Sequence, residues 1–151
     1  MQDVPLKQAK LAAFSMTRRP GVAAESDVNV RAILECGAPV ATIVGKSWDF
    51  HVTRALGTAL DENLAMIADT VGYLRSRMDE VMFDAEHFFD GFRANREYAL
   101  ETLRAAASAG AAWLVLCDTN GGTLPATLAE IIREVHRQVA TPLGIHVHPD
   151  A

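Results

Sequence analysis

Cysteine is scarce: Cys36 and Cys117 are the only two in 151 residues. Each lies in an apolar run, and neither belongs to a C-x-x-C pair. That spacing argues against a disulfide framework or a cysteine zinc knuckle, and it predicts two buried free thiols. Positive charge is also short, with 14 basic against 19 acidic residues and a net charge of −5. Arg18-Arg19 is the only adjacent basic pair, which argues against a nucleic-acid binder. No apolar run approaches the roughly 20 residues of a membrane-spanning helix. The first residues, "MQDVPLKQAK", lack the apolar core of a secretory leader. A cytoplasmic protein is the expectation. Finally, there is no G-x-G-x-x-G and no G-x-x-x-x-G-K-[ST], so no phosphate-cradling loop marks a nucleotide site.

What is present is a half-hydrophobic chain long enough for one domain, 1–151, with a sizeable core. Five short apolar runs stand out, at 10–15, 40–45, 81–86, 113–117 and 143–148. They are apolar at successive positions, the pattern of strands covered by helices rather than half-exposed antiparallel strands. Helical stripes lie between them. Leu56, Leu60, Leu64, Ile67, Val71 and Leu74 step by three or four, as do Leu124, Leu128, Ile131, Val135 and Val139. Thr123-Leu124-Pro125 offers a cap and a proline for one helix start, and Asn95 offers a cap for another. A shorter helix is predicted over 28–36. The order β-α-β-α-β-α-β-α-β implies a parallel sheet with right-handed crossovers.

Polar residues collect where the strands end: Ser15 to Arg19, Lys46 to Asp49, Asp84 to His87, Asp118 to Asn120, and His146 with His148. A (β/α)8 barrel builds its site at that end. The fold class is therefore α/β, a partial barrel of five parallel strands with four intervening helices. His146 and His148 share one strand face because side chains alternate. They could give two nitrogens to one divalent ion and need further ligands to complete it. An amidohydrolase-like hydrolase also uses an H-x-H strand, but places it first; here it follows four others.

The stretches "LAAFSMTRRPG", "VATIVGKSWDFHVTRAL", "VMFDAEHFFDGFRANREYALETL", "WLVLCDTNGGTLP" and "GIHVHPDA" resemble the metal-dependent Claisen-condensing and lyase barrels. That family holds the 2-isopropylmalate, homocitrate and citramalate synthases and hydroxymethylglutaryl-CoA lyase. "GKSWDFHV" and "FDAEHFFDG" favour its citramalate group. The resemblance runs over 11–151 and implies barrel strands 3 to 7, without the family's Arg-Asp first strand. Where the family has Asn after H-x-H, this chain has Pro149.

The resemblance implies condensation of acetyl-CoA, as co-substrate, with a 2-oxo acid, pyruvate in the citramalate group. The alternatives are a larger 2-oxo acid, as in the 2-isopropylmalate and homocitrate synthases, or a non-catalytic barrel fragment. His146 and His148 would ligate a divalent metal (Mg²⁺, Mn²⁺ or Zn²⁺). Glu86 would stand beside the 2-oxo group, and Thr119 would donate to the substrate carboxylate. Ser47 and His51 match a Ser-x-x-His pattern near the substrate, with His51 a candidate catalytic group. Asp84 reads as support and Cys117 as core. Lys46 could meet an anion or solvent, and Arg18 and Arg19 could meet acyl-CoA phosphates. The family's partners are small molecules, not nucleic acid or membrane, and its full-length members imply a homodimer.

Overall fold

The computed structural model describes residues 6–148. Five strands form one sheet: β1 (Ala12–Met16), β2 (Val40–Lys46), β3 (Glu80–Glu86), β4 (Trp113–Asp118) and β5 (Leu143–Val147). They lie in chain order and all neighbours are parallel. This is a partial (β/α) barrel, as the strand spacing predicts. The first strand is shifted, starting two residues later than position 10 and ending at Met16.

The crossovers are richer than four simple helices. The first holds a 3₁₀ turn (Ala24–Ser26) and α1 (Val28–Glu35). Asp27 caps α1, accepting from the Asn29 and Val30 amides. The second begins with α2 (Asp49–His51) and a π turn (Val52–Leu56), breaks at left-handed Gly57, and resumes as α3 (Leu60–Arg75). Leu56 therefore lies outside the helix that carries the rest of its stripe. The third is split into α4 (Phe88–Ala94) and α5 (Arg96–Ser108), with the Asn95 side chain capping α5 through the Tyr98 amide. The fourth is α6 (Pro125–His136), with proline in its first turn. Thr123 does not cap it: its amide and hydroxyl both turn back to the Asp118 carboxylate, at 3.0 and 2.8 Å.

The helices cover one face of the sheet. On that convex face Ala41, Ile43, Val81, Phe83, Ala85, Leu114 and Leu116 are fully buried. They meet Ile67, Val71 and Leu74 of α3, Phe88 and Phe89 of α4, Leu100 and Leu103 of α5, and Val135 of α6. Burying each such side chain stabilises by about 1.5–3 kcal/mol. The concave face is open, and Phe14 and Met16 are exposed on it. Cys36 is exposed too, contrary to the expectation of two buried thiols. It closes α1, where its backbone fits the helix end and its side chain has no core to enter.

Candidate active site at the strand ends

The parallel register decides which residues meet. Val44, Asp84 and Val115 are register partners across β2, β3 and β4, as are Lys46 with Glu86 and Cys117 with His146. Register partners share a face, so these two rows lie on the concave side. Val44, Asp84, Glu86, Cys117 and His146 of these rows line a hollow of about 130 Å³, with Thr119, His148 and Phe14. Four residues expected at a site from the sequence, Glu86, Thr119, His146 and His148, therefore come together.

His146 and His148 stack, ring centroids 5.1 Å apart and planes 23° apart. The Asp84 carboxylate lies 3.4 Å from His146 Nδ1. Burial pushes the Asp84 carboxyl above its ordinary value, and His146 partly offsets this. The Cys117 Sγ joins them: one ring nitrogen of His146, one Asp84 oxygen and the sulfur all lie within 4.8 Å of one another. This donor set could hold a metal ion. Burial raises the Cys117 thiol far above its usual range, with Asp84 and Glu86 adding to the effect. Cys117 is thus buried, as expected of a core residue, but it faces the hollow rather than the helices. The signal was available in the sequence: counting by two from Thr119 puts Cys117 on the site's side.

Glu86 forms an ion pair with Lys46, its register partner on β2. That assigns Lys46 to a carboxylate of the protein itself. The next residue, His87, has a left-handed backbone (φ 55°), a conformation that costs a non-glycine residue on the order of 1 kcal/mol. The turn is pinned on both sides. The His87 amide donates to Thr119 Oγ1 at 2.9 Å, and its ring sits 3.3 Å from Asp90. Asn120 and Arg93 also donate to Asp90. Thr119 Oγ1 accepts in that bond, so its own proton is left to donate elsewhere.

His51 does not line the hollow. It stacks on Trp48 at 4.7 Å and meets His87 edge-on at 4.3 Å. Its Nδ1 is buried with no hydrogen-bond partner. Burial lowers its tendency to protonate, helped by His87 and Lys46. Ser47 also stays away: it is fully buried and its hydroxyl lies 2.9 Å from that of Thr102 in α5. Below it, Asn63 donates to the Lys46 carbonyl and the Tyr98 hydroxyl. This network braces the β2 exit from behind. Arg18 and Arg19 are committed as well, Arg18 to Glu62 and Asp69 and Arg19 to buried Asp27. Pro149 lies outside the described residues.

An open parallel sheet, helices on its outer face and a polar rim at the carboxyl ends define part of a barrel enzyme's architecture. The chain belongs to the HMGL-like family, whose profile matches residues 9–151. It is 53% identical over its whole length to an (R)-citramalate synthase of Synechocystis sp., and 53% identical over 97% of its length to that of Geobacter sulfurreducens. The chain spans 29% and 28% of those relatives' lengths. Among solved structures it is similar to hydroxymethylglutaryl-CoA lyase from Pseudomonas aeruginosa, with a TM-score of 0.73 and 14% identity, over 97% of this chain and 48% of that one.

Proposed function

We propose that residues 1–151 form part of the catalytic barrel of a citramalate synthase, which condenses acetyl-CoA with pyruvate. The observation that carries this is the 53% identity to (R)-citramalate synthases over essentially the whole chain. The gathering of Glu86, Thr119, His146 and His148 around one hollow supports it. In this reading a divalent ion, Mg²⁺, Mn²⁺ or Zn²⁺, is held by His146 and His148. Bound there, it would polarise the ketone as a Lewis acid.

The chain's own residues supply orientation. The Thr119 hydroxyl donates its remaining proton to the substrate carboxylate. Glu86, held by Lys46, stands beside the 2-oxo group. His51 acts from the aromatic cluster against Trp48 and His87. Ser47 contributes to substrate binding only through the loop it anchors. A base takes a proton from the acetyl methyl group, the resulting carbanion forms the carbon–carbon bond to the ketone carbon, and the ketone oxygen takes up a proton to become a hydroxyl. Water then cleaves the thioester and releases free CoA. A homodimer and a cytoplasmic location complete the proposal; among the described residues no helix is long and apolar enough to cross a membrane.

The test is free-thiol release from acetyl-CoA by the native gene product carrying this sequence. Pyruvate is compared with 2-oxoisovalerate and 2-oxoglutarate. Pyruvate should be strongly preferred; equal or faster turnover of either larger acid would remove the citramalate reading in favour of a related synthase. Calorimetry with Mn²⁺ and Zn²⁺ checks the metal, whose binding should be lost in His146→Ala.

A further inference from the structure

We propose that Asp84 is a positioning residue that fixes the proton of His146 on Nδ1 and so presents its Nε2 lone pair to the metal. The inference rests on the reading of His146 as a metal ligand and adds the group that orients it. Asp84 lies in the middle of β3, on the concave face, with its side chain 8% exposed. Its register partners are apolar, Val44 and Val115. A carboxylate in such surroundings needs a donor. Lys46, the cation of the adjacent row, is engaged by Glu86. The side chain that reaches Asp84 is His146, whose Nδ1 lies 3.4 Å from a carboxylate oxygen.

The consequence follows from the chemistry of the two groups. An ionised carboxylate only accepts, so the imidazole proton must sit on the nitrogen facing it. Neutral histidine in water favours the other arrangement, with the proton on Nε2. Asp84 therefore reverses the intrinsic preference. With Nδ1 turned to β3, Nε2 points away from Asp84 and carries the lone pair a metal needs. Outer carboxylates of this kind fix ring orientation and raise ligand basicity, and their loss costs about 10–100-fold in metal affinity. The β5 register helps. Asp84 is level with Val115, and Val115 with Gly144. Glycine at 144 leaves room for Val115, whose Cγ2 an added Cβ would meet at 3.3 Å.

The opposing possibility uses the same atoms. Asp84, Cys117 and a ring nitrogen of His146 could instead chelate a thiophilic ion directly, since one donor atom of each clusters within 4.8 Å. Nitrogen-15 correlation spectra of the metal-free 151-residue chain, at a pH where His146 is neutral, separate the cases. The wild type should show the His146 proton on Nδ1. Asp84→Ala should move it to Nε2 and weaken Mn²⁺ binding by about 10–100-fold. Asp84→Glu should restore both, because the open hollow has room for one more methylene. Cys117→Ser should change neither. A lone pair on Nδ1 in the wild type, or an unchanged tautomer in Asp84→Ala, overturns the proposal. So does a sulfur-to-Co²⁺ charge-transfer band that Cys117→Ser abolishes. If wild type binds no metal but keeps the Nδ1 proton, the metal reading fails while the Asp84–His146 contact stands.

Discussion

Gly91 gives the sharpest test of how α4 is seated against the site. It lies inside α4, where alanine would ordinarily gain about 0.5–1 kcal/mol over glycine. Here an added Cβ would sit 2.3 Å from the Ser47 carbonyl oxygen and 2.9 Å from both the Ser47 carbonyl carbon and Trp48 Cα. All three are backbone atoms, so no rotamer can relieve the overlap. Nor can the loop withdraw freely, because the Ser47 amide is tied to the Glu86 carbonyl at 3.1 Å. Overpacking of this kind costs about 1–3 kcal/mol, and rigid backbone places it at the upper end. Set against the helix gain, Gly91→Ala should destabilise by about 2 kcal/mol. In a domain of this size that lowers Tm by about 4–8 °C. In urea it lowers the midpoint by about 1 M at unchanged slope. Gly72, inside α3, is the internal control: its Cβ would meet only Ala109 Cβ, at 4.0 Å. Gly72→Ala should therefore stabilise by about 0.4–1 kcal/mol. Equal stability of the Gly91→Ala and wild-type chains would refute the close approach of α4 to the β2 exit.

Four further outcomes follow from other contacts. Ser47→Ala, which removes one hydroxyl beside Thr102 while the Ala99 carbonyl still accepts from that threonine, should cost about 0.5–1.5 kcal/mol in urea unfolding and leave Mn²⁺ affinity unchanged in calorimetry. Lys46→Met should destabilise more than the Lys46→Met, Glu86→Gln double variant, because the single change strands a half-buried carboxylate; additive losses in the cycle would show that the pair is not coupled. The Asp27 carboxyl would be raised by burial, but donation from the Arg19 amide and guanidinium and from the Asn29 and Val30 amides outweighs that and holds it below its ordinary 3.8. Its contribution is therefore present above that value and lost as pH falls beneath it, so Tm measured from pH 6 to 3 should drop less steeply in Asp27→Asn, which keeps a competent cap but starts lower because it loses the ion pair with Arg19. Exposed Phe14 and Met16 on the concave face, with Ile145 and Val147 on β5, should drive concentration-dependent association, visible in sedimentation velocity and diminished by Phe14→Ser.

The strands were legible because covered parallel strands need apolar residues on both faces, and few other segments of this sequence have them. Chain order and parallel pairing followed from the alternation with helical stripes. The Asn95 cap was legible for the same local reason, since its side chain needs only the next turn of its own helix. What failed depended on partners far along the chain. Thr123 reads as a cap, yet Asp118 reaches it first across the loop. Arg18 reads as a free loop cation, yet Glu62 and Asp69 come to it from the second crossover. Ser47 is more instructive. Lys46 has the parity of Val44 and faces the hollow, so Ser47, one residue on, should face the helices. A motif match pointed the other way, and the structure agrees with the parity. His87 could not have been read at all: no local signal in "DAEHFF" announces a left-handed residue, and its conformation is maintained by Thr119 and Asp90.

Parity also explains why chemistry and stability can occupy the same five strands. Each strand gives alternate residues to the helices and to the hollow, so a change on one face leaves the packing of the other largely intact. On the helix side the rows are apolar and need only fill space. On the concave side each charged residue must find an opposite partner close by, since burial penalises an uncompensated charge. Parallel register provides that partner from another βα unit: Lys46 faces Glu86 on the next strand, and His146 of β5, level with Cys117, reaches over β4 to Asp84 of β3. No single unit contains both members of either pair. The hollow's charge balance is therefore a property of several units assembled at the right register. A one-residue slip of β5 against β4 would turn both histidines to the convex side, leaving Asp84 without its donor while hardly changing the apolar count.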